Sequence, residues 1–387
     1  MMANRVTAML LALGMMLAVP AASAQEMPTF EQPDLDVPCR AALLMDQESG
    51  AVLYEKQPDT PMPMASITKV MTLLLTFEAL EEGRVKLEDT VPVSEHSYSM
   101  GGSQIWLEPG EELTLEEMIK AICVSSANDA AVAVAELLGG SEEAFVQQMN
   151  RRAAELGLEH THFCNACGLD APEHYSTARD VASLSREMLN RHPGIVQYTT
   201  IWMDTVREGR TQLLNTNKLL RRYQGITGLK TGTTSGAGVC ISASALRDGL
   251  GLIAVVLGSP SGAERFQAAE ALLDYGFAHF SSVAVPPPPG APDALPVQGG
   301  VQESVPLQYP AAGRVLLQKG EEGDLSVTAS LPEKLEAPVQ RGQQVGTVTA
   351  QAAGRVLLRQ PILAGQTVEC MNLHTAIRKM LDSLLIL

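Results

Sequence analysis

Ser66 stands three residues before Lys69 in PMPMASITKVMTLLL, a segment otherwise almost wholly apolar. On a helix, positions i and i+3 share a face. A serine and a lysine held together in a dry pocket make a nucleophile and its base. Burial lowers the lysine pKa, and the neutral amine takes the hydroxyl proton. Two more triplets supply what such a reaction needs. Ser126-Ala127-Asn128 falls in a turn between helical stretches, and Lys230-Thr231-Gly232 falls on a late strand. Each triplet is trivial alone. The three in this order and context are far more specific to an acyl-transfer site.

The residue types fit that chemistry. Ser66 attacks a carbonyl and becomes an acyl-enzyme. Lys230 supplies a nearby cation that keeps Lys69 neutral, or pairs with a substrate carboxylate to which Thr231 also donates. Ser126 relays a proton to the leaving amine. Asn128 orients Lys69 and a substrate amide. Gly232 lets the edge strand lie close to a bound peptide. The backbone N–H groups of Ser66 and Thr233 are candidates for an oxyanion hole. This chemistry calls for no cofactor.

Elements must hold these residues. Residues 40–56 read as a hairpin and 65–83 as an apolar helix ending near Gly83. Segments 113–124 and 129–139 read as helices around the serine turn. Residues 141–157 read as an amphipathic helix. Another spans 176–191, with Ser176 or Thr177 as N-cap. Residues 225–259 predict two or three antiparallel strands with a turn at Arg247-Asp248-Gly249, and 261–280 returns to helix. Strands at both ends and helices in the middle predict an α+β fold, an antiparallel sheet with an inserted helical lobe. The proline-rich run VPPPPGAP (285–292) separates it from short alternating strands. There AAGRVLLQ and AAGRVLLR hint at a weak repeat.

The termini and composition set the compartment. Arg5, an apolar run and Ala22-Ser23-Ala24 have the form of a signal peptide cut after Ala24. The run is shorter than the ~20 residues of a spanning helix, which favours cleavage over anchoring. A net charge of −16 without a Lys/Arg cluster argues against nucleic acid as a partner. Six cysteines in an exported chain permit disulfides, and their spacing specifies no pairing. Leu373, Ile377, Met380, Leu381, Leu384 and Leu385 share one helical face, opposed by Arg378, Lys379, Asp382 and Ser383. Such a helix lies in a membrane interface or packs on the β-rich domain.

In order, MASITKVMT, SSANDAAVAVAE, FVQQMNRRAAELGLEHTHFCNACGLD, YSTARD, GLKTGTT and LLDYGF resemble the low-molecular-mass penicillin-binding proteins, the serine-type D-alanyl-D-alanine carboxypeptidases. The resemblance is close over about 38–280 and looser beyond. It implies a β-lactamase/transpeptidase-like catalytic domain over 25–283, a linker over 284–292, a β-rich domain over 293–371 and a membrane-associating helix over 372–387. It also implies Ser66 as acyl-ester nucleophile, Lys69 as proton acceptor, Ser126 as an active-site residue and Lys230 as a substrate-binding residue. Asn128, Thr231, Gly232 and Thr233 join the substrate site, Thr233 standing where some members have histidine. Arg265 matches an arginine near the substrate carboxylate, although its flanking loop differs, and its other reading is a surface arginine on a helix first turn. The implied substrate is a peptidoglycan stem peptide ending in D-Ala-D-Ala, with β-lactams as covalent inhibitors. The implied place is the outer face of the bacterial cytoplasmic membrane.

Two rivals share the motifs. A class A β-lactamase needs a deacylating glutamate, usually in Glu-x-x-Leu-Asn. Between Asn128 and Lys230 the Leu-Asn pairs occur in REMLN and TQLLN, with Arg186 and Thr211 in the glutamate's place. A non-catalytic wall-binding protein is disfavoured by intact Ser66, Lys69 and Lys230. His160, His162, Cys164 and Cys167 have ligand-like spacings, but the family uses this segment as structural chain without metal.

Overall fold

The structure, a computed structural model, describes residues 30–384 except 32 and 312. The expected signal peptide and the last three residues lie outside that range. Five antiparallel strands form the main sheet: β1 (Ala41–Asp46), β2 (Val52–Lys56), β3 (Ile226–Thr234), β4 (Gly238–Arg247) and β5 (Leu250–Ser259). Their order is β2-β1-β5-β4-β3, so the first and last segments of the domain meet at its centre.

Period-two alternation sends neighbouring side chains to opposite faces. Ala42, Leu44, Leu252, Ala254 and Val256 face the helix Gly262–His279 and its Phe266, Leu272 and Leu273. Leu43, Met45, Ile253, Val255 and Leu257 face the helical lobe. Both faces are covered, which is why these strands read as unbroken apolar runs.

The lobe centres on Lys69–Glu81 and Asn128–Gly139, which bury about two thirds of their positions, all round the helix over Lys69–Thr76 and Asn128–Ala135. A helix apolar all round belongs inside. Glu142–Glu155 starts at Ser141, whose side chain accepts from Ala144 N, and Ala178–Arg191 starts at Thr177, which accepts from Asp180 N. Two elements depart from the sequence reading. Residues Ala65–Thr68 are a 3-10 turn, not α-helix, and the helix Leu115–Lys120 passes into a π-helical turn, Ala121–Ser125. Two hairpins were not foreseen: Thr90–Pro92 with Glu112–Thr114, and Met203–Val206 with Thr211–Leu214.

The C-terminal unit is a six-stranded sheet in the order Ser326–Ser330, Gln344–Ala352, Arg355–Ala364, Ser304–Gln308, Ala294–Gln298, Leu335–Glu336. Its core is Val305, Val339, Val348, Ile362 and Val368. The two copies of the weak repeat open the strands Arg314–Gln318 and Arg355–Ala364. The first leaves this sheet and pairs with Phe280–Ala284, directly after the last helix of the N-terminal unit. All six cysteines are unpaired. The C-terminal helix runs Leu373–Leu384.

Candidate active site

Ser66 sits on the 3-10 turn just before the buried helix. With three residues per turn, i and i+3 eclipse, and Lys69 Nζ donates to Ser66 Oγ at 2.9 Å. Ser66 is partly exposed while Lys69 is fully buried. Two more acceptors hold the amine: Asn128 Oδ1 at 2.6 Å and the Cys167 carbonyl at 2.6 Å. Burial pulls the Lys69 pKa down to about 8, against the opposing charges of Cys167 and Asp129. A buried amine that has lost its proton has a lone pair for the serine hydroxyl.

Ser126 ends the π-helical turn in a left-handed conformation, φ 61°. π-turns and strained residues concentrate at functional sites. Lys230 Nζ donates to Ser126 Oγ at 2.8 Å and to the Thr231 carbonyl at 3.0 Å. Burial, then the charges of Lys69 and Arg265, hold Lys230 well below the ordinary lysine range. Thr231 meets Thr216 across a 2.6 Å hydroxyl contact.

Gly232 presses on the nucleophile turn. A Cβ there would come within 2.9 Å of Ser66 N and of the Ala65 side chain. The close approach seen here is thus between β3 and the turn bearing Ser66. Thr233 is exposed at the strand's next position, with its hydroxyl on the Gly232 carbonyl. Arg265 is not a surface arginine. It is buried beside β3, with Nη1 3.3 Å from the Gly232 carbonyl, 3.2 Å from the Cys240 carbonyl and 3.5 Å from Thr233 Oγ1. Burial lowers its pKa to about 10, and its Nε has no partner.

Several site residues were not foreseen. Asn165 Oδ1 accepts from the amides of Cys167, Gly168 and Leu169, shaping the turn that aims the Cys167 carbonyl at Lys69. His174 is buried. Its Nδ1 accepts from Cys164 N at 2.9 Å, so its Nε2 carries the proton and donates to Thr68 Oγ1 at 2.7 Å. Thr68 in turn donates to the Ala65 carbonyl at 2.8 Å. The chain of bonds thereby fixes Ala65, whose φ is 50°, next to the nucleophile. Burial, with His162 nearby, pushes the His174 pKa down to about 4, so the ring is neutral. Cys167 contributes a carbonyl, His162 Nδ1 meets the Glu173 carbonyl, and His160 and Cys164 are exposed. Among the described residues no group of three or more His, Cys, Asp or Glu is arranged to hold a metal ion.

A hydroxyl served by a buried amine in place of an imidazole, faced by a second buried amine on another hydroxyl, defines a serine acyl-transfer enzyme. The comparisons narrow the class. Residues 26–261 match the D-alanyl-D-alanine carboxypeptidase family of serine peptidases, and the chain belongs to it. Residues 291–370 match the C-terminal domain of penicillin-binding protein 5. The chain is 38% identical to D-alanyl-D-alanine carboxypeptidase DacF of Bacillus subtilis over 88% of each protein. It is 36% identical to DacC of Escherichia coli, over 91% of this chain and 89% of that one. Penicillin binding protein 5 from Haemophilus influenzae superposes with a TM-score of 0.76 at 28% identity, covering 87% of this chain and 99% of that chain. Penicillin-binding protein D2 from Listeria monocytogenes in its cefotaxime-bound form gives 0.60 at 32% identity, covering 64% and 100%.

Proposed function

We propose that Ser66, Lys69, Ser126 and Lys230 carry out the removal of the terminal D-alanine from peptidoglycan stem peptides ending in D-Ala-D-Ala. The observation behind this is the 2.9 Å contact between a fully buried Lys69 amine and the partly exposed Ser66 hydroxyl. Lys69 takes the Ser66 proton as Oγ attacks the penultimate carbonyl carbon. The N–H groups of Ser66 and Thr233 hold the oxyanion. The C–N bond breaks, and Ser126, held by Lys230, relays a proton to the leaving amine. Water then attacks the ester, and the acyl group leaves with a carboxylate while Ser66 regains its proton. Arg265 supplies the positive charge and Thr231, Thr233 and Lys230 the hydrogen-bond donors of the end of the cleft that suits the substrate carboxylate. Asn128 holds Lys69 and the substrate amide. The test is incubation with a peptide ending in D-Ala-D-Ala and mass detection of free D-alanine. Absence of release refutes the reading.

Penicillin acylates Ser66 and stays. Arg186 is spent on the Gln47 and Glu48 carbonyls, and Thr211 on Arg207 in the unforeseen hairpin. Neither position offers the base a β-lactamase uses to activate water. Intact-mass spectrometry is expected to show a persistent adduct, and rapid turnover of nitrocefin would favour a β-lactamase instead.

The same reading places the mature chain outside the cytoplasmic membrane, facing the wall, with residues 25–283 catalytic, 284–292 a linker, 293–371 a β-rich domain and 372–387 lying in the membrane surface. Leu373 is 79% exposed and Ile377 is 50% exposed, which supports an apolar face free to enter lipid. No described helix is long and apolar enough to cross a membrane. Truncation after Cys370 is expected to release the enzyme from anionic vesicles. Continued sedimentation of the truncated form would make the helix a packing element.

A further inference from the structure

Trp106 is the most exposed aromatic side chain of the catalytic unit, at 75%, and its φ is 60°. A bulky residue in that region is an outlier that persists only where surroundings over-determine it. Here they do. The buried Asp129 carboxylate accepts from Ile105 N and Leu107 N at 3.1 Å each. Arg207 donates to the Ile105 carbonyl at 2.7 Å and to the Trp106 carbonyl at 2.9 Å, while paired with Glu111. Ile105 and Leu107 turn inward and are buried, and Trp106 alone turns out.

The same loop is fastened to the reaction centre. Asn128 Nδ2 donates to the Gly101 carbonyl at 2.6 Å, and Asn128 N donates to the Ser103 carbonyl at 2.7 Å. The dipeptide Asn128-Asp129 therefore holds Lys69 at one end and the indole's backbone at the other. Trp106 lies three residues beyond Ser103, a span of at most about 11 Å. The hairpin whose tip carries Arg207 also returns to the cleft. Its Leu214, 52% exposed, stands two residues before Thr216, whose hydroxyl touches Thr231. Its cross-strand neighbour Met203 is 54% exposed. Apolar surface thus rises on the rim beside both the serine turn and the Lys230 strand.

We propose that Trp106 is an outer subsite for the sugar-bearing end of the substrate, an amino-sugar pyranose whose C–H face stacks on the indole. This deepens the carboxypeptidase reading and rests on it. A stem peptide hangs from a glycan sugar several residues before the scissile bond. Three extended residues reach about 10–11 Å, as far as the chain from Ser103, bonded to Asn128, can carry Trp106. An indole offers a rigid apolar face with little ordering entropy, and a pyranose offers a flat face of C–H groups. Because this contact is made before and during reaction alike, it acts on substrate capture and not on the chemical step.

The test compares kcat/KM for a peptide ending in D-Ala-D-Ala with that for the same peptide carrying an N-acetylmuramoyl group. Penicillin titration of Ser66 counts correctly folded enzyme in each preparation. The native enzyme is expected to prefer the sugar-bearing substrate by about tenfold, and Trp106→Ala to lose most of that ratio through KM. Trp106→Tyr, which keeps an aromatic face, is expected to restore much of it. An unchanged ratio in Trp106→Ala, or a native enzyme with no preference, overturns the subsite while the carboxypeptidase activity stands. A native enzyme that releases D-alanine from neither substrate overturns both.

Discussion

The two units of this chain differ in what they bury. Between Asp46 and Arg265 the interior holds two lysines, Asp129, His174, Asn128, Arg265 and many hydroxyls. Among the described residues after 280, no polar or charged side chain is buried, and the core is mostly valine, alanine and isoleucine. Burying polar groups costs free energy unless each finds partners. The catalytic unit accepts that cost where a reaction needs dry charge, and the β-rich unit has no such need. The buried amines of Lys69 and Lys230 go with the reaction centre, while other buried polar groups, such as Thr177 and Asp180, serve a helix start.

The contrast is broken or sharpened by substitution on each side. The largest effect belongs to Ser66→Ala, which is expected to abolish both D-alanine release and labelling by a fluorescent penicillin. Labelling that survives would move the nucleophile elsewhere. Next is the pH dependence of penicillin acylation. Below about 8 Lys69 holds its proton and has no lone pair. The rate should therefore rise roughly tenfold per pH unit and level off near that value. A flat profile between pH 6 and 8 would remove Lys69 as the base.

His174→Ala interrupts the bonds through Thr68 that fix Ala65. Misplacement of a nucleophile by about 1 Å costs up to about a hundredfold, and the loss is expected in kcat more than in KM. A variant with unaltered kcat would make the histidine a packing residue. The smallest effect on catalysis belongs to the other unit. Val305→Ala leaves a cavity in a fully buried site and is expected to cost about 2 kcal/mol of stability in thermal unfolding. Acylation by penicillin should not change. A slowed acylation would mean that the β-rich core supports the cleft.

Much of this was legible in the sequence because it is written in residue types. Ser66, Lys69, Ser126, Asn128 and Lys230 stand out by spacing, and the structure gathers them into two bonded groups, Lys69 on Ser66 and Asn128, and Lys230 on Ser126. The β-strands of the main sheet follow from their apolar runs and the Asp248-Gly249 turn. The Cys167 carbonyl was invisible, since a backbone oxygen has no residue signature and this one meets Lys69 across 98 positions. Asn165 and His174 were hidden in the same way, as partners of backbone amides. The hairpin at Met203–Val206 was missed because its exposed positions, Met203 and Leu214, are as apolar as its buried ones. The π-turn before Ser126 has no pattern of its own and looks like a continuing helix.

The pairing of Phe280–Ala284 with Arg314–Gln318 means that the chain enters its second unit through a ladder of five residue pairs before it reaches the prolines. Arg314 also reaches back to the Asp248 carbonyl in the turn between β4 and β5, at 3.3 Å. A proline run alone would let the cleft swing; a ladder does not swivel. The two units are therefore tied by paired backbone and by the Arg314 contact as well as by a single strand of chain, so a pull on one is shared along five residue pairs before it reaches the other.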